Sequence, residues 1–226
     1  MLNKVEIQTK RGTLLTLPLY EEEGGYKVSN IEGLNPVEAV IVSSNYAGLD
    51  GEQFHSARRS ARDIKIDLDL EADHVVDTIT SLRNSLYSFL MPKSEVLLRF
   101  YMTTGLRLEI NARVEDFETP LFSRDPDVRI SLRCFQPDFI DPRIIKIEGW
   151  TVSDDTNITI PYPGTVETGV IVTLQPQRDL SSFTIYCLGS DNVQQQLDFP
   201  APLLAGDKLV IRSLRGAKGV TLTTQN

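Results

Sequence analysis

A two-residue alternation of apolar and polar side chains governs most of this chain. Ile64, Ile66, Leu68 and Leu70 alternate with Lys65, Asp67 and Asp69. Leu106, Leu108, Ile110, Ala112 and Val114 alternate with Arg107, Glu109, Asn111 and Arg113, and Val128, Ile130, Leu132 and Cys134 with Arg129, Ser131 and Arg133. Successive side chains of a strand point to opposite faces, so this period gives strands with one dry and one wet face. Dry faces must meet one another or a helix, which restricts the chain to sheets packed or curled around a core. Its 226 residues suffice for one large β domain or two small ones.

One stretch has another period. Val75, Ile79, Leu82, Leu86 and Leu90 follow steps of three and four, widened by Val76 and Phe89, with Asp77, Thr80, Arg83, Asn84 and Ser88 opposite. This predicts a one-sided helix over about 74–91, capped by Asp73, stopped by Pro92 and laid against a sheet.

Strands fill the rest. Lys4 to Leu19 reads as a hairpin about Lys10-Arg11-Gly12, and Tyr26 to Ile31 as a further strand. Glu38 to Val42 is apolar on both faces in Ala39-Val40-Ile41-Val42, which predicts a central strand. Glu95–Met102 and Leu106–Glu118 form a hairpin about Thr103-Thr104-Gly105, with a bulge where the phase breaks at Glu115-Asp116-Phe117. Gln136-Pro137-Asp138-Phe139-Ile140-Asp141-Pro142 reads as a boundary between two units, 1–142 and 143–226. Beyond it come candidate strands at Ile144–Glu148, Thr156–Ile160, Gly169–Leu174, Phe183–Leu188, Gln194–Phe199, Lys208–Arg212 and Gly219–Thr223. The expected fold is mainly β: an N-terminal β-sandwich or barrel-like domain with one packed helix, then an all-β C-terminal sandwich.

Charge narrows the function. The net charge is −8, of which residues 1–142 carry −7 from 16 basic and 23 acidic side chains. This argues against a nucleic-acid-binding face, whereas an acidic wall suits DNA that must pass without sticking. No apolar run approaches the ~20 residues of a membrane span and no signal peptide is visible, so synthesis in cytosol without membrane insertion is expected. Cys134 and Cys187 are expected as free thiols.

Catalytic equipment is sparse. His55 and His74 are the two histidines, with no Gly-x-Ser-x-Gly elbow, no Cys-x-x-Cys and no phosphate-cradling glycine loop. Carboxylate pairs such as Asp154-Asp155 read as solvated faces. No enzyme activity, metal or cofactor is expected. The concentrated positive element is His55-Ser56-Ala57-Arg58-Arg59-Ser60-Ala61-Arg62, read as a loop that stays solvated, grips carboxylates of a neighbouring chain or, against its acidic surroundings, touches a nucleic-acid phosphate. Glu21, Glu22 and Glu23 form an acidic loop with the same two readings. Trp150, Tyr162 and Tyr186 could stack on sugar rings or fill a sandwich core.

The order of these elements is itself informative. Paired N-terminal strands lead to Tyr46-Ala47-Gly48-Leu49-Asp50-Gly51; an arginine-bearing loop enters Ile64-x-Ile66-x-Leu68; one helix and a hairpin follow; Leu132-Arg133-Cys134-Phe135-Gln136-Pro137-Asp138-Phe139 closes the unit. Over residues 1–142 this resembles the distal tail proteins of long-tailed, non-contractile bacteriophages. The resemblance implies a virion structural protein made as a homo-hexameric ring, at the tail tip or baseplate. It implies a tail tube protein above, a tail-tip hub protein below, a receptor-binding protein or side fibre for host attachment, and DNA only in transit through the channel. It also implies a galectin-like or related C-terminal sandwich. The segment from Gly48 to Arg62, with Asp50, Gly51, His55, Arg58 and Arg59, is then expected at the subunit boundary, opposite Glu21 to Glu23 of a neighbour. The competing reading is a carbohydrate-binding module that adheres to a host surface through the C-terminal sandwich, using Trp150, Tyr162 and Tyr186.

Overall fold

The structure, a computed structural model, describes residues 1–20, 25–48, 50–72, 78–120, 126–150, 158–189 and 194–224. The alternating runs become strands, and their dry faces make one core. β1 (Leu2–Thr9) and β2 (Leu14–Pro18) form the N-terminal hairpin, with Gly12 supplying the left-handed turn at φ 88°. β3 (Tyr26–Glu32) follows, then β4 (Ala39–Ser44), β5 (Gln53–Arg59), β6 (Arg62–Leu70) and helix α1 (Ile79–Leu90). β7 (Glu95–Met102), β8 (Arg107–Glu118) and β9 (Asp127–Cys134) complete the first sheet.

Seven of these strands form one antiparallel sheet in the order β2-β1-β7-β8-β9-β6-β3. Its two outermost strands, β2 and β3, touch each other, so the sheet curls into a barrel-like closure. The core inside it includes Val5, Ile7, Ile64, Ile66, Leu68, Leu98, Phe100, Ile110, Ile130 and Leu132. The register of β8 on β9 shifts between Val114 and Asp116, the bulge that the broken phase predicts.

Helix α1 packs on β1 and β6, the strands next to the two edges, and so lies by the seam. It buries Leu82, Leu86 and Leu90, and the Tyr26 hydroxyl on β3 donates to the Leu82 carbonyl at 3.0 Å. The cap is Thr78 rather than the expected Asp73. Thr78 Oγ1 accepts from the Ser81 amide while Ser81 Oγ accepts from the Thr78 amide, a reciprocal box that satisfies two end donors. Asp73 to Asp77, with His74, Val75 and Val76, lie outside the described residues.

The wet face of the sheet is laced by cross-strand charge pairs. Glu6 lies buried among Lys4 at 2.7 Å, the Tyr101 hydroxyl at 2.6 Å and Arg99, which also meets Glu109 at 3.0 Å. Arg129 pairs with Asp67 at 2.7 Å, Arg133 with Asp63, and Arg113 with Glu95. Apart from Lys4 and Glu6, which share β1, these pairs span neighbouring strands, where opposite charges contribute about 0.2–1 kcal/mol each.

The chain divides into two compact units, Met1–Trp150 and Thr151–Asn226. In the second, β10 (Ile171–Leu174), β13 (Lys208–Arg212) and β14 (Gly219–Thr223) form one sheet, and β11 (Phe183–Leu188) and β12 (Gln194–Phe199) another. They enclose a small core of Leu203, Leu209 and Ile211, joined by Val172, Leu174, Ile185 and the stacked rings of Phe183 and Phe199. The all-β expectation holds here.

Four expectations about strands and loops fail. β4 is not central: it pairs only with β5, in a separate two-stranded ribbon. The arginine-bearing segment is not a loop, because Gln53–Arg59 is a strand of that ribbon. Ile144–Glu148 forms no strand although its sequence is β-prone, and Ile144 stands 91% exposed. Propensity without a neighbouring edge does not make a strand. Ile158 to Ile160 likewise form none, and Thr156 and Asn157 lie outside the described residues.

Candidate functional site

The β4–β5 ribbon is the part of the first unit that its own fold does not explain. Val40 pairs with Arg58 and Val42 with Ser56 on one face; Ala39 pairs with Arg59 and Ile41 with Ala57 on the other. Every residue of β5 is exposed, as are Ala39 to Ser43 of β4. Ile41 is 64% exposed and Phe54 63%, and Val42 and Val40 are exposed to 48% and 40%. A two-stranded ribbon with no covered face is marginal by itself in water. Burying Val40, Ile41, Val42 and Phe54 would contribute about 1.5–3 kcal/mol per fully covered side chain.

Several contacts fix the ribbon's shape. The Ser60 amide donates to the Glu38 carbonyl at 3.1 Å and closes its root. The register shifts between Val42 and Ser43, which twists the outer half. There Ser44 Oγ and His55 Nε2 are joined at 2.7 Å, and Ser43 Oγ donates to Glu52. The tip turns through Gly48 and Gly51 at φ 86° and 94°, backbone conformations that side chains disfavour, with exposed Asp50 between them.

The structure separates the three arginines. Arg58 lies exposed on the Val40 face of the ribbon. Arg59 holds Asp138 in an ion pair at the root. Arg62 is 6% exposed and turns inward at the start of β6. Its Nε donates to the Pro137 carbonyl at 2.7 Å, one terminal nitrogen donates to the Gly33 and Asn35 carbonyls at 2.5 and 2.6 Å, and its guanidinium lies 4.5 Å from the Phe139 ring centre. Burial pulls its pKa below the ordinary arginine value, but an arginine starts so high that it stays charged. Arg62 is therefore an internal clasp that ties the 33–35 turn and the 137–139 segment to the barrel. The sequence carried a signal for this: Arg62 is in phase with Ile64, Ile66, Leu68 and Leu70, all of which face the core.

Glu21, Glu22 and Glu23 lie outside the described residues. Trp150 belongs to the first unit and stands exposed; Tyr162 and Tyr186 belong to the second, and the Tyr162 hydroxyl donates to the Val166 carbonyl at 2.5 Å. Both cysteines are free, Cys134 buried and Cys187 exposed. Among the described residues no group of three or more His, Cys, Asp or Glu side chains is placed to hold a metal ion, and no helix is long and apolar enough to cross a membrane.

No curated protein matches this sequence. Among solved structures, the fold is similar to that of the Dit protein of phage SPP1, described as a paradigm of the hub adsorption apparatus in phages that infect Gram-positive hosts. Identity is 14% and the TM-score 0.54, over 92% of this chain and 79% of that one. A chain of the phage P2 baseplate, in its activated conformation with Ca, matches at 12% identity and TM-score 0.47, over 97% of this chain and 84% of that one. The model of the phage tail protein RIFT-related domain matches residues 16–134, more than half of the sequence, from within β2 to the end of β9, so it takes in the ribbon, the helix and the curled sheet apart from β1. The chain belongs to the phage tail protein family defined by that RIFT-related domain.

Proposed function

We propose that this protein is a non-catalytic ring component at the distal end of a phage tail. Residues 1–142 form the ring by self-association, six copies enclosing a channel through which DNA passes. The ring joins the tail tube to the tail-tip hub, and residues 143–226 carry a receptor-binding protein or side fibre. The protein is made in the host cytoplasm and works in the virion.

The observation that carries this reading is the β4–β5 ribbon. It offers apolar side chains on both faces to solvent within a unit that belongs to a phage tail family. An uncovered ribbon of this kind is an assembly element, because natural proteins cover or charge such edges when they stay monomeric. Exposed Gly48, Asp50 and Gly51 shape its tip, while His55 and Arg58 flank its apolar faces.

The test is native mass spectrometry with negative-stain microscopy of the full chain beside an Ile41→Ser/Phe54→Ser variant. Six-fold rings from the first and monomers of unchanged circular dichroism from the second are expected. Rings from the variant, or a wild-type chain that stays monomeric at its highest soluble concentration, would refute ring formation through the ribbon.

A further inference from the structure

At the end of the barrel formed by β1, β7 and β8 lies an open groove of about 380 Å³. Val96, Ala112 and the ring of Phe135 line it, with Lys10, Glu95 and Arg113 at its rim. Phe135 is 67% exposed. Glu95 is shared by two cations, Lys10 at 3.3 Å and Arg113, so the rim keeps an excess of positive charge. An exposed aromatic ring in a concave site with a charged rim is the kind of anchor around which protein interfaces form.

The ribbon tip is the complement. Between Ser44 and Phe54 the sequence holds two charged side chains, Asp50 and Glu52, both acidic and both exposed, beside the exposed rings of Tyr46 and Phe54. The tip does not fill its own groove: Tyr46, Asp50, Glu52 and Phe54 are exposed and none of them lines it. The ribbon is rooted near the groove, since Arg59 is tied to Asp138, two residues past the groove-lining Gln136. Six residues of β4 extend the ribbon roughly 20 Å from that root at ~3.3 Å per residue.

We propose that the acidic, aromatic tip of the β4–β5 ribbon of one copy docks in the Phe135 groove of a second copy. Tyr46 and Phe54 pack near Phe135, and Asp50 and Glu52 face Lys10 and Arg113. Tip and groove are different surfaces, so the contact is head-to-tail. Each copy keeps one free tip and one free groove until the assembly closes, which is the geometry that generates rings rather than two-fold dimers. This inference rests on the ribbon-mediated ring reading and adds the surface that receives the ribbon.

Charge reversal with rescue tests it, read by native mass spectrometry and sedimentation of the full chain. Asp50→Lys/Glu52→Lys alone and Lys10→Glu/Arg113→Glu alone should each weaken association at least about tenfold, because like charges then face each other. The four changes together should restore it. Association of the wild type should also weaken as salt rises. If either pair leaves the oligomer intact, or the combined variant stays dissociated, the groove is not the receiving surface. In that case the Ile41→Ser/Phe54→Ser variant shows whether the ribbon reading survives: dissociation keeps it, and an intact oligomer removes both. A monomeric wild type also removes both.

Discussion

Replacing Arg62 by Met tests the clasp at the root of the ribbon. Methionine keeps much of the side chain's apolar length but leaves the Pro137, Gly33 and Asn35 carbonyls without their donor. A hydrogen bond to a charged group contributes about 1.5–3 kcal/mol when buried, and an unsatisfied buried acceptor costs about 1–3. The bond to Pro137 is buried, while those to Gly33 and Asn35 are partly buried, so water can replace some of their contribution. Adding the lost stacking on Phe139, about 0.5–1 kcal/mol, the expected destabilisation is about 3–5 kcal/mol. For a chain of this size that lowers the midpoint of the affected transition by about 10 °C. Calorimetry of the full chain gives the shift. Hydrogen exchange identifies the unit, because the Ile140 and Glu109 amides, each bonded to the other's carbonyl at 2.8 Å, should lose protection. Arg62→Lys should rescue little, since one ammonium cannot reproduce the fork that reaches three carbonyls. A shift below about 1 kcal/mol, or unchanged protection at Ile140, would show that the 137–140 segment is held by Phe139 packing alone.

Burial pushes the Glu6 carboxyl up, but its hydrogen bonds from Lys4 and Tyr101 and the nearby charges prevail, leaving its pKa below 4.5. Its contribution to stability is present above that unfolded value and lost as pH falls through the folded one; Glu6→Gln should therefore flatten the acid limb of a stability–pH curve. Burial pushes the Cys134 thiol up to about 11 from 9.0. Stability should thus fall as pH rises from about 9 to 11, less steeply in Cys134→Ala, and a thiol reagent should label Cys187 quickly and Cys134 only on unfolding. Gly33→Ala should destabilise by at least about 2 kcal/mol in urea titration, since φ is 87° and a Cβ would lie 1.9 Å from the Asp63 carbonyl oxygen.

The barrel strands were readable because each has one dry face, and a two-residue period reports that face directly. The ribbon was readable only in part. Ala39-Val40-Ile41-Val42 announces two faces that need cover, but sequence does not say whether the cover comes from the same chain. Reading it as a central strand assumed that it does. The basic segment failed for another reason: Arg58, Arg59 and Arg62 were grouped by residue type, whereas their roles follow from parity along β5 and β6. The helix start was misplaced because Asp73 and Thr78 are both good caps by type, and the reciprocal bond from Ser81 distinguishes Thr78.

The sheet order also sets a timetable for synthesis. β1 pairs with β7, so Val5 must wait for Phe100, about 95 residues later, or about 5–20 s at ribosomal speeds of ~5–20 residues per second. β6 waits likewise for β9. The β4–β5 ribbon needs only the short stretch that joins Val40 to Arg58, so it can form on the nascent chain well before the barrel closes. Ribbons with exposed apolar side chains would then emerge close together on one polysome while the barrel strands still lack partners. Copy-to-copy encounters during translation are a hazard built into this topology, one that a chaperone or sparse ribosome loading would relieve.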